Sequence, residues 1–216
     1  MTQPSAVMKQ MHRLALPDGH LVIAEAGDGP PLLLLHGWRA DHRAWDRLLP
    51  YLVPTHRCIA LDFRGGMGQS STPSGGGEGT WESTVEDVAT AVRWSGALRP
   101  LLVGASWGAK IALVYAARGA PCAGILCVDG AAFGTGGSLQ EDVYAQIRCP
   151  VRMVFATRSA LDDPRWAYTP ETIATFATRH PHLEISWLPC GHDVANERPR
   201  ELADLILAFS AVVRPA

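Results

Sequence analysis

Several short segments of the chain are apolar at consecutive positions, and this feature restricts the fold more than any other. Residues 31–37 read PLLLLHG, and residues 122–130 read CAGILCVDG. A strand that is apolar on both sides is typical of a parallel sheet covered by helices on both faces. Amphipathic segments of helical length lie between such strands, for example residues 41–52 and 80–97. The alternation predicts an α/β fold with a mostly parallel sheet.

The composition narrows the classes of partner. The 216 residues are 47% hydrophobic and 19% charged, enough apolar material for a substantial core. The net charge is −2 and no run of lysine or arginine occurs, so we expect no nucleic-acid partner. No apolar segment is long enough to cross a bilayer, and residues 1–20 lack the apolar core of a signal peptide, so we expect no membrane association. No internal repeat or linker divides the chain, which predicts a single domain over residues 1–216.

Cysteine usage indicates a reducing compartment. The five cysteines show no C-x-x-C spacing, so neither a disulfide framework nor a zinc site is expected. We expect reduced thiols in a cytoplasmic protein, with no metal site. The five are Cys58, Cys122, Cys127, Cys149 and Cys190.

A candidate nucleophile stands in the stretch GASWG, residues 104–108. Ser106 follows a predicted strand and precedes a predicted helix, so a tight turn would hold its hydroxyl above the edge of the sheet. Side chains at Gly104 and Gly108 would crowd that turn. The start of the helix carries unpaired backbone N–H groups, which makes the N–H of Trp107 a natural donor to a developing oxyanion. The alternative is a glycine-rich turn with a capping serine.

Four motifs together resemble the α/β-hydrolase family, and they occur in that family's order. They are LLLLHGW, ALDFRGGMGQS, GASWG and GHDVANERP. The resemblance runs from about residue 12 to the C-terminus and implies an eight-stranded, mostly parallel sheet flanked by helices. One departure is visible, because the loop that usually reads R-G-x-G-x-S has an extra residue here. The position of that loop is therefore left open.

The resemblance also implies a base and a second oxyanion donor. A serine hydroxyl needs an imidazole to accept its proton. Of the eight histidines, His192 lies in the loop after the last predicted strand, where chain order in this family places the base. The resemblance makes the backbone N–H of Trp38 the second donor. His36 is expected to brace the same loop and to line the pocket rather than to take part in the reaction.

The acid that orients the base has two candidate locations. The commoner one in the family follows the strand near residues 151–158, where Ser159 stands at the expected position and Asp162 and Asp163 come shortly after. The other is Asp129, at the end of an apolar strand. A buried carboxylate without a partner is costly, so Asp129 needs a reason to be there, and we prefer it.

A separate cap domain is not expected. Residues 131–150 are too few for more than one short helix in place of a cap, so the fold should have little or no cap and a shallow, open site. We expect Trp38, Trp107 and Phe133 to wall the substrate pocket, with Trp166 and Tyr168 as further candidates.

Three functions follow from these residues. The first is a serine hydrolase that cleaves a carboxylic ester, thioester or lactone of a small-molecule substrate through an acyl-enzyme on Ser106, without a cofactor. The second rests on a resemblance to the cofactor-free dioxygenases of this fold, in which His192 and Asp129 would act as a base on a hydroxy-heteroaromatic substrate. The third is a degenerate hydrolase that only binds, against which the presence of both Ser106 and His192 argues. The sequence leaves the acyl group, the leaving group and the oligomeric state unknown.

Overall fold

A computed structural model of the chain describes residues 5–72, 80–130, 142–159 and 169–213. These residues form an eight-stranded sheet in the order β1-β2-β4-β3-β5-β6-β7-β8. The strands are β1 (Gln10–Leu16), β2 (Gly19–Ala26), β3 (Pro31–Leu35), β4 (Arg57–Asp62), β5 (Leu101–Ala105), β6 (Gly124–Val128), β7 (Val151–Ala156) and β8 (Glu184–Leu188).

The strand directions place the expected site residues along one edge of the sheet. β2 pairs antiparallel with β1 and with β4, and all other neighbouring strands pair in parallel. The prediction of a mostly parallel eight-stranded sheet is therefore confirmed. Because β5, β6 and β8 are parallel, their carboxyl ends meet at the same edge, which is where ligands bind in open α/β sheets. Ser106 and Asp129 directly follow β5 and β6 there.

Helices connect the strands and cover both faces of the sheet. They are a 3₁₀ helix (His42–Trp45), α1 (Leu49–Leu52), α2 (Trp81–Ser95), α3 (Trp107–Ala117), α4 (Asp142–Gln146), α5 (Pro170–Arg179), α6 (Val194–Glu197) and α7 (Pro199–Val212). No helix in the described parts of the chain is both long enough and apolar enough to cross a membrane.

The core consists of two layers because successive side chains of a strand point to opposite faces. In β3, Leu33 and Leu35 pack into one cluster, together with α2, α3 and α5. Leu32 and Leu34 pack into the other cluster, together with α1 and α7. The doubly apolar strands inferred from the sequence are thus buried on both sides.

The segment at residues 41–52 differs from the single helix that its spacing predicts. Asp41 does cap its start, because Asp41 Oδ1 accepts a hydrogen bond of 2.8 Å from the N–H of Arg43. The helix is interrupted after Trp45, however, and α1 begins only at Leu49. Pro50 explains the break, since a proline has no N–H for a helical bond and its ring crowds the preceding turn. In the structure Pro50 lies in the first turn of α1, where it is tolerated.

Little space remains for a cap between β6 and β7. Residues 129–150 separate the two strands, and α4 lies within this interval. A separate domain does not fit there, as the sequence predicts.

Candidate active site

Ser106 lies in the strained turn between β5 and α3. Its φ is +49° and its ψ is −109°, a conformation that residues with side chains rarely adopt. Two glycines allow the turn to be this tight. A Cβ on Gly108 would lie 2.1 Å from the carbonyl oxygen of Leu35, and a Cβ on Gly104 would lie 2.4 Å from that of Gly108. Strain of this kind is retained where the surrounding structure imposes it, commonly at functional sites.

Asp129 also follows its strand with a strained backbone. Its φ is +42°. The side chain is 1% exposed, and both carboxylate oxygens have partners. Oδ1 accepts a hydrogen bond of 2.9 Å from the N–H of Ala156, and Oδ2 lies 2.6 Å from His192 Nδ1. The buried carboxylate is therefore paired with the imidazole of His192.

His192 reaches this carboxylate from the loop between β8 and α6. The N–H of Gly191 anchors the loop by donating to both carboxylate oxygens of Glu197, each at 3.1 Å. Besides Asp129, Nδ1 has Ser159 Oγ as a neighbour at 3.2 Å. An Nδ1–H that donates to Asp129 leaves the lone pair of the ring on Nε2, the arrangement that a general base requires. The side chain is 49% exposed, so it can meet a substrate.

The serine lies directly beside the segment that carries Asp129. The N–H of Ser106 donates to the carbonyl of Val128 at 2.9 Å, and a Cβ on Gly130 would lie 2.8 Å from Ser106 Cα. The hydrogen bonds of the described residues do not include one between Ser106 Oγ and His192. In enzymes without substrate this bond is often long and closes when the substrate binds.

Two backbone donors are placed close to Ser106. Trp107 is the first residue of α3, so its N–H has no partner within the helix. Gly37 lies against the serine, because a Cβ on it would be 3.4 Å from Ser106 Cβ, and Trp38 follows it. No residue in the described parts of the chain accepts a hydrogen bond from the N–H of Trp38 or of Trp107. Both groups can therefore donate to a ligand.

A cavity of about 240 Å³ adjoins these donors. Neither Ser106 nor His192 lines it, so it lies beside the reacting groups rather than around them. The indole rings of Trp38 and Trp107 meet edge to face with centroids 5.1 Å apart, and Trp81 stacks on Trp107 at 4.0 Å. The lining residues are His36, Gly37, Trp38, Arg39, Phe63, Arg64, Gly65, Gly66, Met67, Thr84 and Trp107.

Comparison with known sequences decides the family. A sequence model of the alpha/beta hydrolase fold matches residues 30–164, more than half of the chain. The chain belongs to the α/β-hydrolase family.

The relatives of this hydrolase differ in the reactions their names describe. This chain is 36% identical over 104 residues to the serine hydrolase-like protein of Homo sapiens. That match covers 46% of this chain and 49% of the human protein. The chain is 33% identical over 106 residues to the soluble epoxide hydrolase of Corynebacterium sp., over 49% of this chain and 36% of that protein. The matches thus span half or less of these relatives' length. Among solved structures, naproxen esterase from Bacillus subtilis superposes with a TM-score of 0.80 at 14% identity, covering 94% of this chain and 92% of that chain, which shows the shared fold.

His36 braces the loop of the hydrolase that carries the Trp38 donor. The N–H of Phe63 donates to His36 Nε2 at 3.0 Å, so the ring's hydrogen is on Nδ1, which donates to the carbonyl of Gly37 at 2.8 Å. Burial lowers the pKa of His36 and outweighs the opposing effect of the Gly37 hydrogen bond. The ring is therefore neutral at neutral pH. It lines the cavity and also holds the loop in place.

The structure does not describe the other pocket residues inferred from the sequence. Phe133, Trp166 and Tyr168 lie outside the described residues of the hydrolase, and so do Asp162 and Asp163.

One other cluster brings together side chains of the types that bind metals. Oxygen and nitrogen atoms of Asp41, His42 and Asp62 lie within 4.8 Å of one another in the described part of the hydrolase, and all three residues are buried. The carboxylates of this cluster already accept hydrogen bonds from other groups of the protein. Asp41 is held by Arg43, with its Oδ2 2.5 Å from Nη2, and Asp62 Oδ1 lies 2.8 Å from His42 Nδ1. The cluster is thus explained as an internal hydrogen-bond network.

Two contacts of the site were missed in the sequence. Ser159 touches the ring of His192, and Trp81 stacks on Trp107. The first had a usable signal, because Ser159 occupies the position after β7 where the family resemblance expects an acid. The second had none, since Trp81 opens a helix far from the elbow in the chain.

The loop with the extra residue folds back onto the end of β4. Asp62 Oδ2 accepts a hydrogen bond of 2.8 Å from the N–H of Gln69, and Ser70 Oγ donates to the carbonyl of Asp62 at 2.6 Å. A Cβ on Gly68 would lie 2.3 Å from Asp62 Cγ, so only glycine fits at that point. This loop forms one wall of the cavity.

Proposed function

We propose that this α/β-hydrolase is a serine hydrolase that cleaves carboxylic esters, thioesters or lactones through an acyl-enzyme on Ser106. The observation that carries the proposal is the 2.6 Å contact between His192 Nδ1 and the buried Asp129, directly beside the strained serine. A carboxylate in this position sets the tautomer of the imidazole and stabilises the cation that forms when it accepts a proton.

In the first half of the reaction, Ser106 Oγ attacks the carbonyl carbon of the substrate. Nε2 of His192 takes the hydroxyl proton, and the carbonyl oxygen becomes an oxyanion. The N–H groups of Trp38 and Trp107 donate to this oxygen, and each such donor is worth about 3 kcal/mol of barrier. The intermediate collapses, the bond to the leaving alcohol or thiol breaks, and the imidazolium returns the proton to that leaving group.

In the second half, a water molecule replaces the leaving group. His192 takes a proton from the water as it attacks the acyl carbon, and the same two donors hold the new oxyanion. Collapse of this intermediate breaks the bond to Ser106 Oγ, which recovers its proton from the imidazolium. The carboxylic acid leaves and the enzyme is restored. The serine, the imidazole, the carboxylate and two backbone donors are sufficient for every step, so the proposal includes no cofactor.

The chemistry of serine favours acyl substrates over epoxides, although one relative is named as an epoxide hydrolase. A serine that opened an epoxide would be left as an ether. An ether has no carbonyl carbon for water to attack, so the enzyme would not be regenerated by this machinery. An acyl-serine does have such a carbon, and in this proposal the N–H groups of Trp38 and Trp107 assist the attack on it.

The cavity suggests a small substrate with a short acyl group. Its volume of about 240 Å³ is below the range typical of sites for drug-sized ligands. Its indole and phenyl walls suit an apolar group, while the exposed His192 allows the leaving group to remain in solvent. We therefore expect a small-molecule substrate. The charge pattern and the cysteine usage are the basis for expecting no nucleic-acid partner and a cytoplasmic protein.

Labelling with a fluorophosphonate probe tests the proposal. The purified protein and its Ser106→Ala variant are treated with the probe and analysed by intact mass, and hydrolysis of p-nitrophenyl acetate, butyrate and octanoate is measured in parallel. A Ser83→Ala variant serves as the matched control, because Ser83 lies in the first turn of α2. We expect one adduct and ester turnover in the wild type and the control, and neither in Ser106→Ala.

Two other outcomes would contradict the serine hydrolase proposal, and each favours a different alternative function. Turnover that survives in Ser106→Ala would remove the acyl-enzyme and direct the search to hydroxy-heteroaromatic substrates with oxygen. An unlabelled and inactive wild type would favour a protein that only binds its ligand.

A further inference from the structure

Two cysteines meet at the edge of the sheet opposite the candidate active site. Cys122 lies just before β6 and Cys149 just before β7, and these strands are parallel neighbours with Ile125 opposite Val151. The amino ends of the two strands are therefore adjacent. The Sγ atoms lie 3.2 Å apart, and the thiol of Cys122 donates to Cys149 Sγ. A disulfide bond is about 2.05 Å long, so a movement of roughly 1 Å would join the two sulfurs.

A second cavity gives reagents access to this pair. Its volume is about 170 Å³, and it lies among the ends of α3, β6 and β7. Cys149 is partly exposed, whereas the other cysteines are buried. Two arginines, Arg99 and Arg148, line the cavity together with both cysteines. The positive charge of guanidinium groups favours a thiolate over a thiol.

The thiols of the pair have unequal acidity. The hydrogen bond from Cys122 lowers the pKa of Cys149 despite partial burial, and the charge of Arg99 acts in the same direction. The same hydrogen bond, with burial, raises the pKa of Cys122. Cys149 is thus suited to be the attacking thiolate and Cys122 the thiol that resolves the product.

The remaining cysteines have the opposite properties. Cys58, Cys127 and Cys190 are each no more than 1% exposed. Burial raises the pKa of Cys58 to about 12 and that of Cys190 to about 11. Such thiols react slowly with oxidants.

We propose that Cys122 and Cys149 form a redox-active pair that a peroxide oxidises to an intramolecular disulfide. The Cys149 thiolate attacks one oxygen of hydrogen peroxide, the O–O bond breaks, and a sulfenic acid and hydroxide result. The hydroxide takes up the proton that the Cys149 thiol had released to solvent and becomes water. Cys122 Sγ then attacks the sulfur of the sulfenic acid, the S–O bond breaks, and the oxygen leaves as a second water. Two thiols are oxidised and one peroxide is reduced.

The disulfide would act on the fold rather than on the reacting atoms. It would tie the amino ends of β6 and β7 together and close the loop that contains Asp129. A reductant such as dithiothreitol would reverse the step. This inference does not depend on the proposed esterase activity.

Peptide mapping tests the proposal directly on the wild-type protein. The protein is treated with hydrogen peroxide, free thiols are alkylated, and a tryptic digest is analysed without reduction. Cleavage after Arg118, Arg148 and Arg152 places Cys122 in peptide 119–148 and Cys149 in peptide 149–152. We expect these two peptides to be linked, with a mass about 2 Da below the sum of the two free peptides because two hydrogens are lost. Fragment ions distinguish a link at Cys122 from one at Cys127.

Variants of single cysteines separate the oxidation of Cys149 from the formation of the disulfide. Cys122→Ser removes the resolving thiol, so Cys149 should remain as a sulfenic acid that dimedone labels. Cys58→Ser leaves the pair intact, so the linked peptide should persist. A peptide 149–152 recovered from peroxide-treated wild type only in alkylated or over-oxidised form, without a link, would overturn the proposal. So would a link that joins Cys149 to Cys127.

Discussion

Two histidine–aspartate pairs among the described residues have nearly the same hydrogen bond and opposite surroundings. His42 Nδ1 lies 2.8 Å from Asp62 Oδ1, and His192 Nδ1 lies 2.6 Å from Asp129 Oδ2. The His42 side chain is 5% exposed, whereas the His192 side chain is 49% exposed. The contact itself therefore does not distinguish a structural pair from a candidate catalytic one.

In the buried pair, His42 and Asp62, backbone N–H groups occupy further acceptor positions of the carboxylate. Besides the ring of His42, Asp62 accepts hydrogen bonds from the N–H groups of His42 at 2.7 Å and of Gln69 at 2.8 Å. Burial by itself would raise the pKa of Asp62, but these hydrogen bonds outweigh it and hold the pKa below its ordinary value. The pair fastens the 3₁₀ helix and the loop at residues 63–71 to the end of β4. A ligand has no access to it.

Among the described residues, a single backbone donor bonds the carboxylate of the second pair. The N–H of Ala156 fixes Asp129, and the half-exposed imidazole extends toward the carboxyl edge of the sheet. The backbone shows the same contrast. Of the described residues other than glycine, those with positive φ are Arg39, Ser106 and Asp129, all at this edge. The difference shows that exposure of the imidazole and local backbone strain, rather than the pairing, mark the site that can do chemistry.

Removal of His192 should have the largest effect on activity. We expect His192→Ala to lower kcat for ester hydrolysis by at least about 10³-fold, because the serine would lose its base. Because the buried Asp129 carboxylate would lose its ring partner, we expect the unfolding temperature to fall as well, so kcat is measured well below the transition. His182→Ala is the matched control, because His182 is exposed and lies in the same half of the chain. Equal losses in the two variants would break the assignment of His192.

Transfer of the carboxylate from position 129 to position 159 tests whether an acid at either position can orient His192. Ser159 Oγ already lies 3.2 Å from His192 Nδ1, in the segment that follows β7, the strand next to β6. We expect Asp129→Asn to lose activity, and Asp129→Asn combined with Ser159→Asp to recover at least about tenfold of it, because the new carboxylate can again orient the imidazole. Steady-state kinetics of the single and double variants measure the recovery. A double variant no more active than Asp129→Asn would mean that position 159 cannot support the base.

Removal of the buried histidine should affect stability instead. His42→Ala leaves the carboxylate of Asp62 buried without its ring partner, which costs about 2–4 kcal/mol of unfolding free energy. For a chain of this size that corresponds to a fall of roughly 5–10 °C in the unfolding temperature. Thermal unfolding and kcat below the transition are measured together. A large fall in kcat at unchanged stability would make this pair catalytic too.

The smallest expected effect is on the pH dependence of stability. It comes from His56, a buried histidine that has no carboxylate partner among the described residues. His56 is bonded to hydroxyl groups, with Nδ1 2.9 Å from Thr55 Oγ1 and Nε2 2.8 Å from Ser210 Oγ, and burial lowers its pKa from 6.5. Below pH 6.5 the unfolded chain therefore binds a proton that the folded chain does not, so stability falls as the pH falls. We expect the wild type to lose up to about 1 kcal/mol more than His56→Gln between pH 7.5 and pH 5.5 in urea unfolding. An equal loss in both would assign the pH dependence to other groups.

Much of the fold could be predicted because it depends on local patterns. Doubly apolar strands at residues 31–37 and 122–130 predict a covered parallel sheet, and the glycines around Ser106 predict a sharp turn. The interruption after Trp45 was also visible in principle, since Pro50 carries its signal. Each of these features is determined by neighbours in the chain.

Most contacts between distant residues could not be predicted. The bond between His42 and Asp62, and the meeting of Cys122 with Cys149, depend on strand order and register. The pairing of His192 with Asp129 is the exception, because chain order in the family indicates it. Asp162 and Asp163 lie outside the described residues, so the choice of Asp129 as the acid stays a prediction. A carboxylate at the end of a strand can reach an imidazole only when the strands between them are ordered correctly.

The central claim is that the two aspartates have different tasks, and paired variants test it most directly. Asp129→Asn and Asp62→Asn each remove one charge from a buried side chain that bonds an imidazole. For Asp129→Asn we predict a fall in kcat of about 10⁴-fold with a small change in the unfolding temperature. For Asp62→Asn we predict a fall of roughly 5–10 °C with kcat of the folded protein retained within about threefold. Activity lost in Asp62→Asn and kept in Asp129→Asn would contradict the account.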